Sequence, residues 1–160
     1  MTGERLNAQQ RTLWSRMLVA LTVLHAALDE RLRTQAGLTH FQTLLLIALL
    51  HGPDGTRSMS ELAESGNASP SRVSHVVARL EEDGLVERRS SAADRRTIHA
   101  ALTLAGRDKI EATLPLYDAM VKDLFFDKLE AGQEDAMHDA LGAIFPALCA
   151  SVDERLAEQR

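Results

Sequence analysis

The chain has 160 residues, 45% hydrophobic and 26% charged, with a formal net charge of −5. That length suits one domain with helical extensions and can bury a core without covalent staples. Aromatics at 4% argue against a stacking platform for single-stranded nucleic acid, and the single cysteine, Cys149, excludes an internal disulfide framework and fits a reducing, cytoplasmic setting.

In chain order, Met1 to Gln10 lack a basic patch followed by an apolar run, so no signal peptide is expected. From Gln10 to Leu32, Leu13, Met17, Leu18, Leu21, Leu24, Leu28 and Leu32 recur at helical spacing. They form one stripe that needs a partner surface to cover it. His25 and Asp29, four apart, share a face of this helix and read as a hydrogen-bonded pair beside an interface. Leu38 to His51 reads as a second helix with Thr39 as N-cap, apolar almost all round and therefore in the core. Its apolar run, Leu44 to Leu50, is too short to cross a bilayer. The breakers Gly52, Pro53 and Gly55 end it.

Two short helices come next. Ser58 or Ser60 can cap one that runs through Glu64, and Gly66-Asn67-Ala68 makes the turn. Ser69 then caps a helix with Pro70 at its first position, running to Asp83 and stopping at Gly84. Val73, Val76, Val77 and Leu80 form its apolar face; Ser71, Arg72, Ser74, His75 and Arg79 form the other. Leu85 to Arg89 and Thr97 to Leu102 read as strands of a hairpin around the polar link Ser90 to Arg96. Thr103 caps a helix from Leu104 to Leu124, where Pro115 is expected to produce a kink. The last helix, Gln133 to Glu158, carries the stripe Met137, Leu141, Ile144, Leu148, Val152 and Leu156, with Pro146 inside it and Cys149 beside the stripe as a buried structural thiol.

This order predicts a mostly α fold with a small β-hairpin wing. Residues 38–103 are a winged helix-turn-helix, 1–37 an N-terminal dimerisation helix and 104–160 C-terminal dimerisation helices. An α-helix fits the major groove of duplex DNA, where base edges carry a unique donor and acceptor code. The helix from Pro70 can dock its valine face on the core and offer Ser69, Pro70, Ser71, Arg72, Ser74, His75 and Arg79 to DNA. The overall acidity is no obstacle. Residues 1–100 carry 12 Lys/Arg against 11 Asp/Glu, and residues 101–160 carry 6 against 12, so the acid lies C-terminal. Arg88, Arg89, Arg95 and Arg96 cluster in the hairpin, and salt screens distant charge beyond roughly 10 Å. Arg89, Asp94, Arg95 and Arg96 are the wing candidates: an arginine at the tip can enter a narrow minor groove, with Asp94 orienting it. Arg88 reads as structural, paired with Glu87, Glu81 or Asp94.

The run Gly66-Asn67-Ala68-Ser69-Pro70-Ser71-Arg72-Val73-Ser74-His75, the stretch Arg79-Leu80-Glu81-Glu82-Asp83-Gly84-Leu85-Val86-Glu87-Arg88, and Asp94-Arg95-Arg96 followed by Leu102-Thr103-Leu104-Ala105-Gly106 together resemble the MarR family of bacterial regulators. The resemblance implies a homodimer with intertwined terminal helices, a palindromic operator, repression, and release by a small aromatic or phenolic anion. By position it makes Arg96 the minor-groove arginine and Asp94 its partner. A dimer also suits the physics, since two recognition helices about 34 Å apart read successive major-groove faces. Trp14, Arg16, His25 and His40 are candidates for an effector pocket. The family's oxidant sensors place their cysteine near the N-terminus, where this chain has none. The six histidines form no ligand-spaced cluster, and neither metal, cofactor nor catalytic residue is expected. A non-specific architectural DNA binder is the alternative, disfavoured because such proteins are strongly basic.

Overall fold

The computed structural model describes residues 5–90 and 97–158, the last ten of these for their backbone only. They form two compact units divided after Met120. The first holds α1 (Ala8–Ala36), α2 (His40–Leu50), a short 3-10 turn (Pro53–Gly55), β1 (Thr56–Ser58), α3 (Met59–Ser65), α4 (Pro70–Glu82), β2 (Val86–Ser90) and β3 (Ile98–Leu102). Helix α5 (Leu104–Leu124) follows, then a 3-10 turn (Phe126–Lys128) and α6 (Gln133–Glu158) in the second unit.

Local chemistry explains where these helices start. Asn7, Thr39 and Ser58 each accept a hydrogen bond from the backbone N–H three residues on, and the side-chain oxygens of Gln10, Gln42 and Glu61 accept one from the cap's own N–H. These are three reciprocal capping boxes, which satisfy donors a helix start leaves unpaired. Ser69 caps α4 by accepting from the Arg72 N–H at 3.3 Å, with Pro70 at the first helical position. Thr103 Oγ accepts from the Gly106 N–H at 2.9 Å and donates to the Gly84 carbonyl at 2.7 Å. It thereby ties the start of α5 to the end of α4. Gly106 is held against the Leu85 carbonyl so closely that a Cβ there would meet backbone. Helix α1 runs further than its apolar stripe suggested, to Gly37, whose φ of 66° closes the C-terminus. Helices α5 and α6 continue through Pro115 and Pro146.

The sheet has three strands in the order β1-β3-β2, all antiparallel. The hairpin β2–β3 was expected, and its strands start one residue later than the sequence suggested. Strand β1 was not. Three residues carry no usable period, and Thr56–Ser58 becomes a strand because β3 offers a free edge to Thr56, Arg57 and Ser58. The core beneath joins Leu45, Leu46 and Leu49 of α2, Leu62 of α3, Val73, Val77 and Leu80 of α4, Val86, Ala100 and Ile110. All are buried. At roughly 25 cal/mol per Å² of apolar area this cluster is the main force holding α4 in place.

Helix α6 is different. All its described side chains, through Leu148, are exposed, including Met137, Leu141, Ile144 and Leu148. The N-terminal half of α1 likewise exposes Leu13 (68%), Met17, Leu18 and Leu21 (59%). Only the C-terminal part of the α1 stripe, Leu28 and Leu32, is buried within the chain.

Candidate nucleic-acid interface

Helix α4 divides as its sequence does. Val73, Val77 and Leu80 are fully buried. Ser69, Pro70, Ser71, Arg72, Ser74, His75 and Arg79 are all exposed. Val76, read from sequence as part of the apolar anchor, is only half-buried at the helix flank. One side of the helix is therefore anchored, and its opposite side presents small hydroxyls, an imidazole and two guanidinium groups to solvent. The N-terminal end of α4 is where this surface is richest, with the positive end of the helix dipole beside it.

The wing stem stands beside that surface. Arg89 pairs with Glu87 of the same strand. Arg88 reaches back to α4: its Nη2 donates to the Ser74 carbonyl at 2.8 Å, and its Nε lies 3.7 Å from the Glu81 carboxylate. The structural reading of Arg88 through Glu81 matches this arrangement. Asp94, Arg95 and Arg96 at the wing tip lie outside the described residues.

A cleft of about 710 Å³ opens between α1, α2 and α4, lined by Leu21, His25, Asp29, Arg33, Phe41 and Arg72 among others. Arg72 lies across the Phe41 ring, its guanidinium carbon 4.3 Å from the ring centre. A guanidinium over an aromatic face is a cation–π contact, which preorganises the side chain. Asp29 is engaged twice, by Arg33 Nε at 2.9 Å and by the backbone N–H of His40 at 2.8 Å. It serves α2 rather than forming the simple pair with His25 that the spacing suggested. Of the four effector candidates, His25 lines the cleft. His40 lies behind it, Trp14 is half-exposed further along α1, and neither Trp14 nor Arg16 is among the lining residues.

His40 is a buried joint between three helices. Only 6% of it is exposed. Its Nε2 lies 3.2 Å from the Tyr117 hydroxyl of α5, and its ring centre is 4.5 Å from that of His25 of α1. Among the described residues its Nδ1 is buried without a hydrogen-bond partner. Sequence reasoning missed Tyr117 and Phe41, since neither contact leaves a local signal. Burial first, and then the neighbouring His25, hold the His40 pKa below the ordinary imidazole range, against the opposing pull of Asp29. With the folded pKa below the unfolded one, the unfolded chain binds the extra proton as pH falls. This contribution is therefore fully present above about pH 6.5 and is lost as pH falls from there towards the folded pKa. Urea midpoints measured between about pH 7.5 and 5.5 are expected to decline with acid, and His40→Gln to flatten that decline. An unchanged pH slope in the variant would remove His40 as its cause.

A short helix, a turn, a helix with an anchored back and polar front, and an antiparallel wing stem define a winged helix-turn-helix, a fold built to present one helix to duplex DNA. The sequence profile of the MarR family matches residues 36–97. The structure is similar to that of Sco3205 from Streptomyces coelicolor, a MarR family transcriptional regulator solved in complex with DNA. The identity is 32%, the TM-score 0.86, and 91% of each chain is covered. In Bacillus subtilis (strain 168), the HTH-type transcriptional regulator YdcH is 33% identical over 92 residues, covering 55% of this chain and 61% of that protein. The HTH-type transcriptional repressor YetL of the same organism is 27% identical over 112 residues, covering 70% of this chain and 66% of YetL. The matched part thus spans less than two thirds of either Bacillus relative, 61% of one and 66% of the other. The chain belongs to the MarR family, whose members are transcriptional regulators and not enzymes. Among the described residues no helix is long and apolar enough to cross a membrane, and no three His, Cys, Asp or Glu side chains are grouped to hold a metal ion.

Proposed function

We propose that this regulator works as a cytoplasmic homodimer that binds a palindromic double-stranded operator and represses transcription. The observation that carries this reading is the exposed row from Ser69 to Arg79, backed by the buried Val73, Val77 and Leu80. In this reading α4 enters the major groove with Ser71, Arg72, Ser74 and His75 near the bases. Ser69, Pro70, Arg79 and Arg89 serve the backbone, and the Asp94-Arg95-Arg96 tip takes the minor groove. Residues 38–103 read DNA, while 1–37 and 104–160 dimerise. The uncovered stripes of α1 and α6 support a two-fold interface, because contiguous apolar surface of that length is seldom left in water. The repressor among the relatives supports repression as the sense of regulation.

We also assign the cleft between α1, α2 and α4 to a small aromatic anion that releases the operator. Its volume falls in the range of roughly 300–1,000 Å³ usual for small-molecule sites. Its lining combines apolar Leu21 and Phe41 with cationic Arg33 and Arg72. Fluorescence anisotropy against DNA upstream of the protein's own gene is expected to give tight, salt-dependent binding that benzoate-type acids weaken. Equal affinity for random duplex would instead mark a non-specific architectural binder, and binding indifferent to every aromatic acid tried would remove the ligand.

A further inference from the structure

We infer that Arg88 is a positioning residue for DNA reading, one that locks the wing stem to α4 and so fixes where Ser74 and its neighbours meet the bases. The inference rests on the DNA-recognition reading above. Arg88 stands on β2 opposite Ala100 of β3, at the base of the wing. Three of its groups are engaged by α4. Nη2 donates to the Ser74 carbonyl at 2.8 Å, Nε lies 3.7 Å from Glu81 Oε2, and the backbone N–H donates to Glu81 Oε1 at 3.2 Å. Ser74 itself belongs to the exposed row of α4. One guanidinium thus spans a carbonyl and a carboxylate a helical turn or more apart on the recognition helix, and the same carboxylate grips the strand's backbone. The planar fork of arginine holds Nη2 on the carbonyl and Nε towards the carboxylate at separate fixed points, whereas the donors of a lysine all sit on one compact nitrogen at the end of a flexible stem. Both side chains remain partly in solvent, 31% exposed for Arg88 and 42% for Glu81, so the pair does not hold the core together. What it constrains is the angle between wing and helix. A guanidinium held by α4 on two sides has fewer donors left for phosphate, and its partners lie on the helix rather than, as for Arg89, on its own strand.

The two roles give different results in salt titrations of operator and random duplex. A phosphate contact supports every duplex alike and contributes about one unit to the salt slope. A positioning residue supports only the correct site and leaves the slope alone. Arg88→Ala is therefore expected to weaken operator binding roughly tenfold, the scale of one hydrogen bond from a charged donor. Its affinity for random duplex and its salt slope should stay at the parent values. Arg88→Lys should remain impaired. Glu81→Ala should lose operator preference in the same way although it removes a negative charge from a DNA-facing helix. The double variant should be no worse than either single one, because both break one unit. Circular dichroism and melting temperature report whether the fold survives, and Arg88→Lys decides the matter should the alanine variants unfold. A parallel loss on operator and random duplex, with a slope lower by about one, would make Arg88 a phosphate contact and overturn the inference. So would an unchanged operator preference in Arg88→Lys. A parent protein with no operator preference at all would instead sink the DNA-recognition reading on which the inference rests.

Discussion

Leu80→Ala is expected to cost about 2–5 kcal/mol of folding stability and to abolish operator binding at temperatures where the parent protein binds. Leu80 is fully buried within the cluster formed with Val73, Val77, Val86 and Ala100, and its carbonyl accepts the Leu85 N–H at 2.9 Å where the chain turns into the wing. Shortening it leaves a cavity at the point where α4 meets the sheet, so the transfer loss and the cavity term add. A domain of this size is stable by only about 5–15 kcal/mol, so the loss is a large share of the total. Ser71→Ala on the exposed side of the same helix is the control: stability within about 0.5 kcal/mol of the parent, with any change confined to DNA affinity. Urea unfolding of the two variants measures both. A Leu80→Ala cost below about 1 kcal/mol would mean that α4 is not anchored as described.

The second large effect concerns assembly. Leu13→Lys combined with Leu141→Lys places a charge in each uncovered stripe, on side chains that are 68% and 55% exposed in the isolated chain. Within one chain such changes would alter little, since neither side chain is packed. In a dimer they bury two charges per protomer at an apolar interface, a cost of several kcal/mol for each unpaired ion. Sedimentation equilibrium is expected to report a monomer, and operator affinity to fall by about a hundredfold or more, because linked half-sites reinforce one another. A double variant that sediments as a dimer would place the interface elsewhere.

Much of this architecture was legible in the chain because its signals are local. Thr39, Ser58, Ser69 and Thr103 name helix starts through the chemistry of one side chain and the backbone two or three residues on. The 3.6-residue rhythm of Val73, Val77 and Leu80 marks which face of α4 is inside, and that in turn marks the row from Ser69 to Arg79 as exposed. What was not legible depends on residues far apart in sequence. Strand β1 exists through pairing with β3, some forty residues later. His40 was read as an effector contact, yet it is a buried joint whose partner Tyr117 lies 77 residues away. Arg72 was read for DNA alone, and its stacking on Phe41 places it in the cleft as well. Arg88 was read as structural, but the Ser74 carbonyl as its acceptor follows only from how the wing stem sits on α4.

Dimethyl sulfate interference on the bound operator is the most direct probe, since it methylates guanine N7 in the major groove and adenine N3 in the minor groove. Two clusters of blocking guanines are expected, about 10 base pairs apart on one face of the duplex, with Arg72→Ala or Ser71→Ala relieving the block at particular guanines. Interference limited to minor-groove adenines, or unaltered by every substitution on the exposed side of α4, would contradict the assignment of that helix to the major groove.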